Sequence, residues 1–217
     1  MTSPKPLNIL ISAGPTREPI DDIRFISNYS TGLLGFELAK EVLRRRHNVI
    51  LITGPVYLET PKKVKRIDVI TASDMQKEIN RHFEWCNCLI MSAAVSDYRP
   101  KRKIPGKLKK EKSQISLELV KNPDILKTLG KKKKDKILVG FSLDVEGVIE
   151  NAKTKLKDKN LDLIVANRMS SGNIPFGRNK ISVSIIDKSL KIIRFKDIYK
   201  KRLAHKLLDI IEKLCYT

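Results

Sequence analysis

An α/β fold built on a mostly parallel, doubly wound sheet is the architecture this sequence predicts, and three observations predict it. Strand-like and helix-like segments alternate along most of the chain, which calls for parallel strands joined by covering helices. Two apolar strands, Leu7–Ser12 and Cys88–Ser92, each run directly into a short loop dense in small and polar residues. Near the C-terminus, segments 181–186 and 191–195 flank Asp187-Lys188-Ser189, the pattern of a hairpin that gives the sheet an antiparallel edge.

The first strand leads into Ala13-Gly14-Pro15-Thr16-Arg17-Glu18-Pro19, and Ile26-Ser27-Asn28-Tyr29-Ser30-Thr31-Gly32 then opens a helix to about Arg46. That helix aligns Leu34, Leu38, Val42 and Leu43 on one face. Asn48–Thr53 is the second strand, ended by Gly54-Pro55, and a short third strand lies near Val64–Val69. Thr71-Ala72-Ser73-Asp74 has the form of a capping box, starting a helix to about Trp85. Strand four, Cys88–Ser92, enters Ala93-Ala94-Val95-Ser96-Asp97-Tyr98.

There the alternation breaks. Residues 99–113 hold two prolines, a glycine and a large excess of Lys, which predicts a mobile flap. Ile115, Leu117 and Leu119 alternate with Ser116 and Glu118 as a half-exposed strand. Asn122-Pro123-Asp124 starts a short helix with Pro in its first turn, and Lys131–Lys134 reads as a solvated charged turn. Strand Ile137–Ser142, a helix from about Val145 to Lys159, strand Leu161–Ala166, a loop over 168–180, the hairpin over 181–195 and a final helix Tyr199–Leu214 complete a Rossmann-like order.

A length of 217 residues with 41% apolar content fits a single domain spanning 1–217 with an ample core. No run of 18 apolar residues exists and the N-terminus lacks an apolar signal core, so the expected setting is cytoplasmic, with no membrane partner. Cys86 and Cys88, two apart at a strand start, are expected to point to one face as small buried residues of a reducing compartment. The histidines His47, His82 and His205 show no ligand spacing with the three cysteines, so no protein-held metal is expected.

The net charge of +20 is uneven: residues 1–100 carry 14 Lys+Arg against 11 Asp+Glu, whereas residues 101–217 carry 30 against 13. A basic half can serve nucleic acid, a membrane surface or a small polyanion. A basic nucleic-acid-binding α/β protein is the rival reading. The few aromatics are not interleaved with the Lys runs as a base-stacking platform requires, so nucleic acid is not the expected partner. A small polyanion suits the loops. Ser30-Thr31-Gly32 offers hydroxyls and a helix start, which can bind phosphate or simply cap the helix. Asn28 can donate and accept at once. Gly14, Ala93 and Ala94 permit close backbone approach. Neither G-x-G-x-x-G nor G-x-x-x-x-G-K-[ST] occurs after strand one, which excludes the two commonest nucleotide-loop signatures.

With these motifs in this order the chain resembles the phosphopantothenoylcysteine synthetase (phosphopantothenate–cysteine ligase) family over residues 7 to about 200. The resemblance is carried by Gly14-Pro15-Thr16-Arg17-Glu18, Ser27 to Gly32, Ala93 to Tyr98, Lys107-Leu108-Lys109-Lys110, Lys121-Asn122-Pro123-Asp124-Ile125, Gly140-Phe141 and Asn160 to Asn167. In many bacteria this domain follows a flavin-dependent decarboxylase. The chain begins at the synthetase, so a free-standing form with a separate decarboxylase acting next in coenzyme A biosynthesis is expected.

The resemblance implies a ligase that forms a carbon–nitrogen bond. The carboxylate of 4′-phosphopantothenate attacks the α-phosphate of CTP to give an acyl-cytidylate and pyrophosphate, and the amine of cysteine then displaces CMP. Some members use ATP; the wording of the two loops resembles bacterial members and hence CTP. The resemblance also implies Mg²⁺ with the triphosphate, a homodimer, and the site residues. Asn28 and Lys107, the latter on the flap, are implied as catalytic, and Asn28, Ala93 and Ala94 as contacts to phosphopantothenate. Implied nucleotide contacts are Gly14, Thr16, Ser30, Thr31, Gly32, Met91, Ser92, Ala93, Asp97, Lys107, Asn122, Pro123, Asp124, Ile125, Phe141, Lys155 and Lys159. The chain departs from many bacterial members at Ser142-Leu143-Asp144, where they carry Ala-Ala-Glu-Thr after Gly-Phe.

Overall fold

A computed structural model describes residues 5–109, 114–177 and 179–216. The first half runs β1 (Asn8–Ala13), β2 (Arg17–Pro19), β3 (Phe25–Ser27), α1 (Leu33–Arg44), β4 (Asn48–Thr53), β5 (Lys65–Asp68), α2 (Ala72–Phe83) and β6 (Cys88–Met91). The second runs β7 (Tyr98–Pro100), β8 (Leu119–Lys121), α3 (Ile125–Gly130), β9 (Ile137–Asp144), α4 (Val148–Asp158), β10 (Leu163–Arg168), β11 (Ile181–Asp187), β12 (Ile192–Ile198) and α5 (Lys200–Tyr216).

The main sheet has the order β12-β11-β10-β9-β6-β1-β4-β5. From β5 to β10 all neighbours are parallel, and β11 and β12 add the antiparallel edge expected from the hairpin pattern. The chain winds outward from β1 through β4 to β5, then returns to β6 on the other side of β1 and winds outward again. The strand order therefore reverses between β1 and β6, and in such sheets the crevice outside the carboxyl ends at the reversal is where ligands bind. The two polar loops singled out in the sequence leave those two strands.

Both sheet faces are covered. Ile9, Ile11 and Ala13 of β1 pack with α1 and α5, while Leu10 packs with α2, α3 and α4 on the opposite side. Alternate residues of one strand thus enter different cores, which is why the strands read as unbroken apolar runs. The capping box at α2 forms as its sequence predicts: Thr71 Oγ1 accepts from Asp74 N at 3.1 Å and Asp74 Oδ2 accepts from Thr71 N at 3.0 Å.

Four local expectations are corrected. Cys86 precedes β6 and belongs to the α2 side, whereas Cys88 belongs to the α1 side, so the thiols face opposite cores. Burial raises both, Cys86 to about 12. The segment 115–118 is not a strand; the ladder is confined to β8, against β7, with one further bond from Lys101 N to Glu118 O at 2.9 Å. Asp124, not Pro123, begins α3: it is the N-cap and accepts Lys127 N at 3.0 Å, with Pro123 outside the helix.

Lastly, Lys133 is not solvated. It is buried, and its Nζ donates to both oxygens of Asp162 at 2.8 and 2.7 Å, while Asp162 also accepts Leu138 N at 2.9 Å. Lys133→Ala leaves the buried Asp162 carboxylate with only the Leu138 N–H and the more distant Lys188 ammonium at 3.8 Å, and is expected to lower stability by about 3 kcal/mol in denaturant titration. Lys134→Ala, on the exposed neighbour, is expected to change it by less than about 0.5 kcal/mol.

A second polar network locks α1 to α5. Arg45, the C-cap of α1, reaches Glu41 of α1 at 2.8 Å and Asp209 of α5 at 2.6 Å, and Glu41 also takes two hydrogen bonds from Arg44. The Arg44 guanidinium above all, working against burial and helped by Arg45 and His205, holds the Glu41 carboxyl at about 2 instead of the ordinary 4.5. A lowered carboxylate pKa stabilises fully above the unfolded value and is lost as pH falls through the folded one. The melting-temperature gap between the native chain and Glu41→Gln is therefore expected to be widest above pH 4.5 and to close towards pH 2.

Candidate active site

The loops leaving β1 and β6 are stitched into one wall. Ala94 N donates to Gly14 O at 2.9 Å and Thr16 N to Ala94 O at 3.3 Å, so Pro15 and Ala94 form a parallel bridge beyond the strands proper. Below it, Ser92 Oγ donates to Ser12 O at 2.6 Å and Ala93 N to Ser12 Oγ at 3.2 Å. Thr16 is fully buried and its hydroxyl accepts Ser96 N at 3.0 Å. The hydroxyls of Thr16 and Ser92 are thus used inside the wall, and these two residues shape the site from behind.

Asn28 stands in front of this wall. It is exposed, and its Nδ2 donates to the Ala94 carbonyl at 3.0 Å. Asn28 follows β3, which pairs with β2 as a small hairpin that propensity alone did not reveal. Ser27 Oγ, donating to Thr16 O at 2.7 Å, ties this hairpin to the wall.

The start of α1 faces the same place. Its N-cap is Gly32, with φ 77°, and no side chain caps the helix; Ser30 Oγ accepts Gly32 N at 3.3 Å instead. The first-turn N–H groups have no side-chain cap, an arrangement suited to an anion. Gly14 (φ +70°) and Gly32 nearly touch: a Cβ on Gly32 would lie 3.2 Å from Gly14 Cα. Both positive φ values and this approach demand glycine. Gly35 has the same character by packing, since a Cβ there would lie 2.5 Å from that of Ala13.

Beside the wall lies a cleft of about 190 Å³, lined by Met91, Ala93, Val95, Ser96, Asp97, Asn122, Pro123, Asp124, Ile125, Leu126, Phe141 and Lys159. Most of the residues implied as nucleotide contacts meet here, drawn from the end of β6 and the loop after it, the middle of β9, the start of α3 and the C-cap of α4. Asn122 is fixed by donating Nδ2 to Ser96 O at 2.8 Å and by Arg99 at 3.0 Å. Asp124 pairs with Lys159 at 2.9 Å. Lys155, one turn earlier on α4, is held off the cleft lining by Asp144, at 3.1 and 3.2 Å. The two lysines are therefore not free cations on a helix face, and the Asp144 that departs from the bacterial pattern is the partner of one of them. Val95, Ser96 and Leu126 were not anticipated; the first two lie within a loop already singled out, and Leu126 is the residue after Ile125.

Lys107 is exposed, on a segment that starts from the β7–β8 ribbon. Of the flap expected over 99–113, residues 110–113, including Lys110, lie outside the described residues. The described part is bonded to the 20–24 turn: Ile104 N reaches Ile20 O at 2.8 Å, Gly106 N reaches Asp22 Oδ2 at 2.9 Å, and Leu108 N reaches Asp21 Oδ2 at 3.0 Å. Asp21 and Asp22 carried no sequence signal beyond their place in a turn.

Among the described residues no group of three or more His, Cys, Asp and Glu side chains is placed to hold a metal ion. No helix among them is long and apolar enough to cross a membrane.

Comparison with known proteins places this geometry in a family. The profile described as DFP, DNA/pantothenate metabolism flavoprotein C-terminal domain, matches residues 5–215. The coenzyme A biosynthesis bifunctional protein CoaBC of Escherichia coli is 41% identical over 215 residues, covering 95% of this chain and 52% of that protein. The chain thus spans about half the length of that relative. The crystal structure of a CoaBC C-terminal domain superposes with TM-score 0.82 at 35% identity, covering 96% of this chain and 95% of that one. A Cab2 variant in complex with phosphopantothenate-cysteine shares the fold, with TM-score 0.78 at 16% identity, 96% of this chain and 86% of that one being covered. From a Rossmann-like sheet whose order reverses at two polar loops to a profile match over nearly its whole length, this chain belongs to the DNA/pantothenate metabolism flavoprotein C-terminal domain family.

Proposed function

We propose that this chain is a phosphopantothenate–cysteine ligase of coenzyme A biosynthesis that activates 4′-phosphopantothenate with CTP. The observation that carries the reading is the cleft beside the β1/β6 crevice, walled by the residues that the family resemblance implies for the nucleotide. A carboxylate does not condense with an amine unaided, because its oxygen is a poor leaving group. Transfer of a cytidylyl group makes that oxygen leave as CMP.

The base and ribose occupy the cleft, against Phe141 and the Asn122–Ile125 turn, with Asp97 and Lys159 at its rim. The phosphates run towards the α1 start, whose N–H groups and Ser30 and Thr31 hydroxyls meet negative charge. The acyl group lies along Ala93 and Ala94, where the absence of larger side chains lets it approach the backbone. Asn28 contacts the reacting acyl phosphate, and Lys107 neutralises charge that builds on the phosphates as the α-phosphorus is attacked. Mg²⁺ enters as part of the nucleotide substrate, held chiefly by phosphate oxygens.

The reading includes a homodimer, for which the edge strand β12 with its exposed Ile193 offers a pairing surface, and a decarboxylase that consumes the product. Sedimentation equilibrium tests the dimer.

The central test is pyrophosphate release with phosphopantothenate across CTP, ATP, GTP and UTP, with and without cysteine. Release is expected with CTP, dependent on phosphopantothenate, with CMP formed when cysteine is added. Faster turnover with ATP would replace CTP as the nucleotide. Failure with all four would overturn the ligase reading.

A further inference from the structure

We propose that Asp21 is a positioning residue for Lys107, clasping the backbone beside that lysine and setting where its side chain is presented. The inference rests on the role given above to Lys107.

The Asp21 side chain has no solvent exposure, and its two oxygens brace its own turn and reach across to the segment that carries Lys107. Oδ1 accepts Ile23 N at 2.8 Å and Arg24 N at 2.6 Å, and Oδ2 accepts Arg24 Nε at 2.9 Å and Leu108 N at 3.0 Å. Arg24 completes the ring by donating Nη2 to the Leu108 carbonyl at 2.7 Å. On the other side of Lys107, Gly106 N donates to Asp22 Oδ2 at 2.9 Å and Gly106 O accepts Asp22 N at 3.1 Å. Both main-chain polar groups of the residue before Lys107, and both of the residue after it, are thus held by one turn.

That turn joins β2 to β3, and Asn28 follows β3 directly. One short stretch of backbone therefore carries the first proposed catalytic residue and grips the second. A Lys-rich surface loop without a task has no need of a fully buried carboxylate accepting four donors. Only an ionised carboxylate suits that position, because an amide would oppose its own N–H groups to the donors. The Leu108 N–H, ahead of those of Arg24 and Ile23 and against the effect of burial, holds the Asp21 carboxyl far below the usual range. Presenting Lys107 from fixed backbone places its charge before the transition state needs it.

The test is a double-mutant cycle of Asp21→Asn with Lys107→Gln, read as kcat and KM for CTP, together with trypsin cleavage after Lys107 in the ligand-free protein. Asp21→Asn alone is expected to lower kcat about tenfold or more while KM for CTP changes little. In the Lys107→Gln background the same substitution is expected to cost no more than about twofold, because both act through one group. Cleavage after Lys107 is expected to accelerate in Asp21→Asn although its melting temperature shows a folded protein.

Additive losses in kcat, or unchanged cleavage, would overturn the clasp while leaving Lys107 its role. Full turnover by Lys107→Gln would overturn the role of Lys107 and this inference with it. Should Asp21→Asn fail to fold, Asp22→Ala, on a half-exposed side chain that releases Gly106, carries the same cycle with the same expected non-additivity.

Discussion

Asn28→Asp is expected to lower overall turnover by about 10²- to 10³-fold, the loss typical when a donor to a developing charge is removed. The amide nitrogen of Asn28 lies 3.0 Å from the Ala94 carbonyl. An aspartate there sets an oxygen against that carbonyl and an anion where the proposed function puts the acyl phosphate. The cleft proposed for the base is walled by other residues, so CTP binding is expected to survive. Calorimetry with CTP and steady-state CMP formation check the two halves, and near-native turnover would remove Asn28 from the mechanism.

Lys107→Gln is expected to slow the reaction by roughly 10- to 150-fold, the equivalent of losing a charge-assisted hydrogen bond of about 1.5–3 kcal/mol. The loss should fall on kcat more than on CTP affinity, because charge on the phosphates is greatest in the transition state. Lys101→Gln is the internal control. Lys101 sits at the base of the same segment in an exposed pair with Glu118 at 2.6 Å, and such pairs contribute little. Equal losses in the two variants would mean that the segment acts as a diffuse positive field.

Much of the fold was legible because its signals are local. Unbroken apolar runs marked β1, β4, β6, β9 and β10, and Thr71 with Asp74 announced α2 through a bond spanning three residues. The candidate site was legible for a related reason. Both loops at the strand-order reversal are continuous segments whose small and polar residues stand out against the strands before them. Phe141, Asn122 to Ile125 and Lys159 were named only through family resemblance, since an Asn-Pro-Asp turn or a helical lysine carries no chemistry of its own.

What escaped the sequence involves partners distant along the chain. The pairing of β7 with β8 took only the end of a strand expected from alternation at Ile115 to Leu119: three residues of ladder formed against Tyr98–Pro100, followed by one further backbone bond from Lys101 N to Glu118 O at 2.9 Å. Cys86 and Cys88 were expected on one face because they are two apart, but only Cys88 is in the strand, so the period of two does not apply to Cys86.

The sequence by itself determined the alternation of elements, the two loops, the helix cap at Thr71 and the basic second half, all properties of residues near one another in the chain or of composition. Tertiary structure alone decided that β1 and β6 are neighbours, which turns two separate loops into one wall. It decided that Lys133 is sunk against Asp162 while its neighbours Lys132 and Lys134 stay in water. It also decided that Asp21 reaches across 87 residues to the backbone beside Lys107. A charged residue in a turn has the same local signature whether it meets solvent or a buried donor, and only the packing of distant segments supplies the difference.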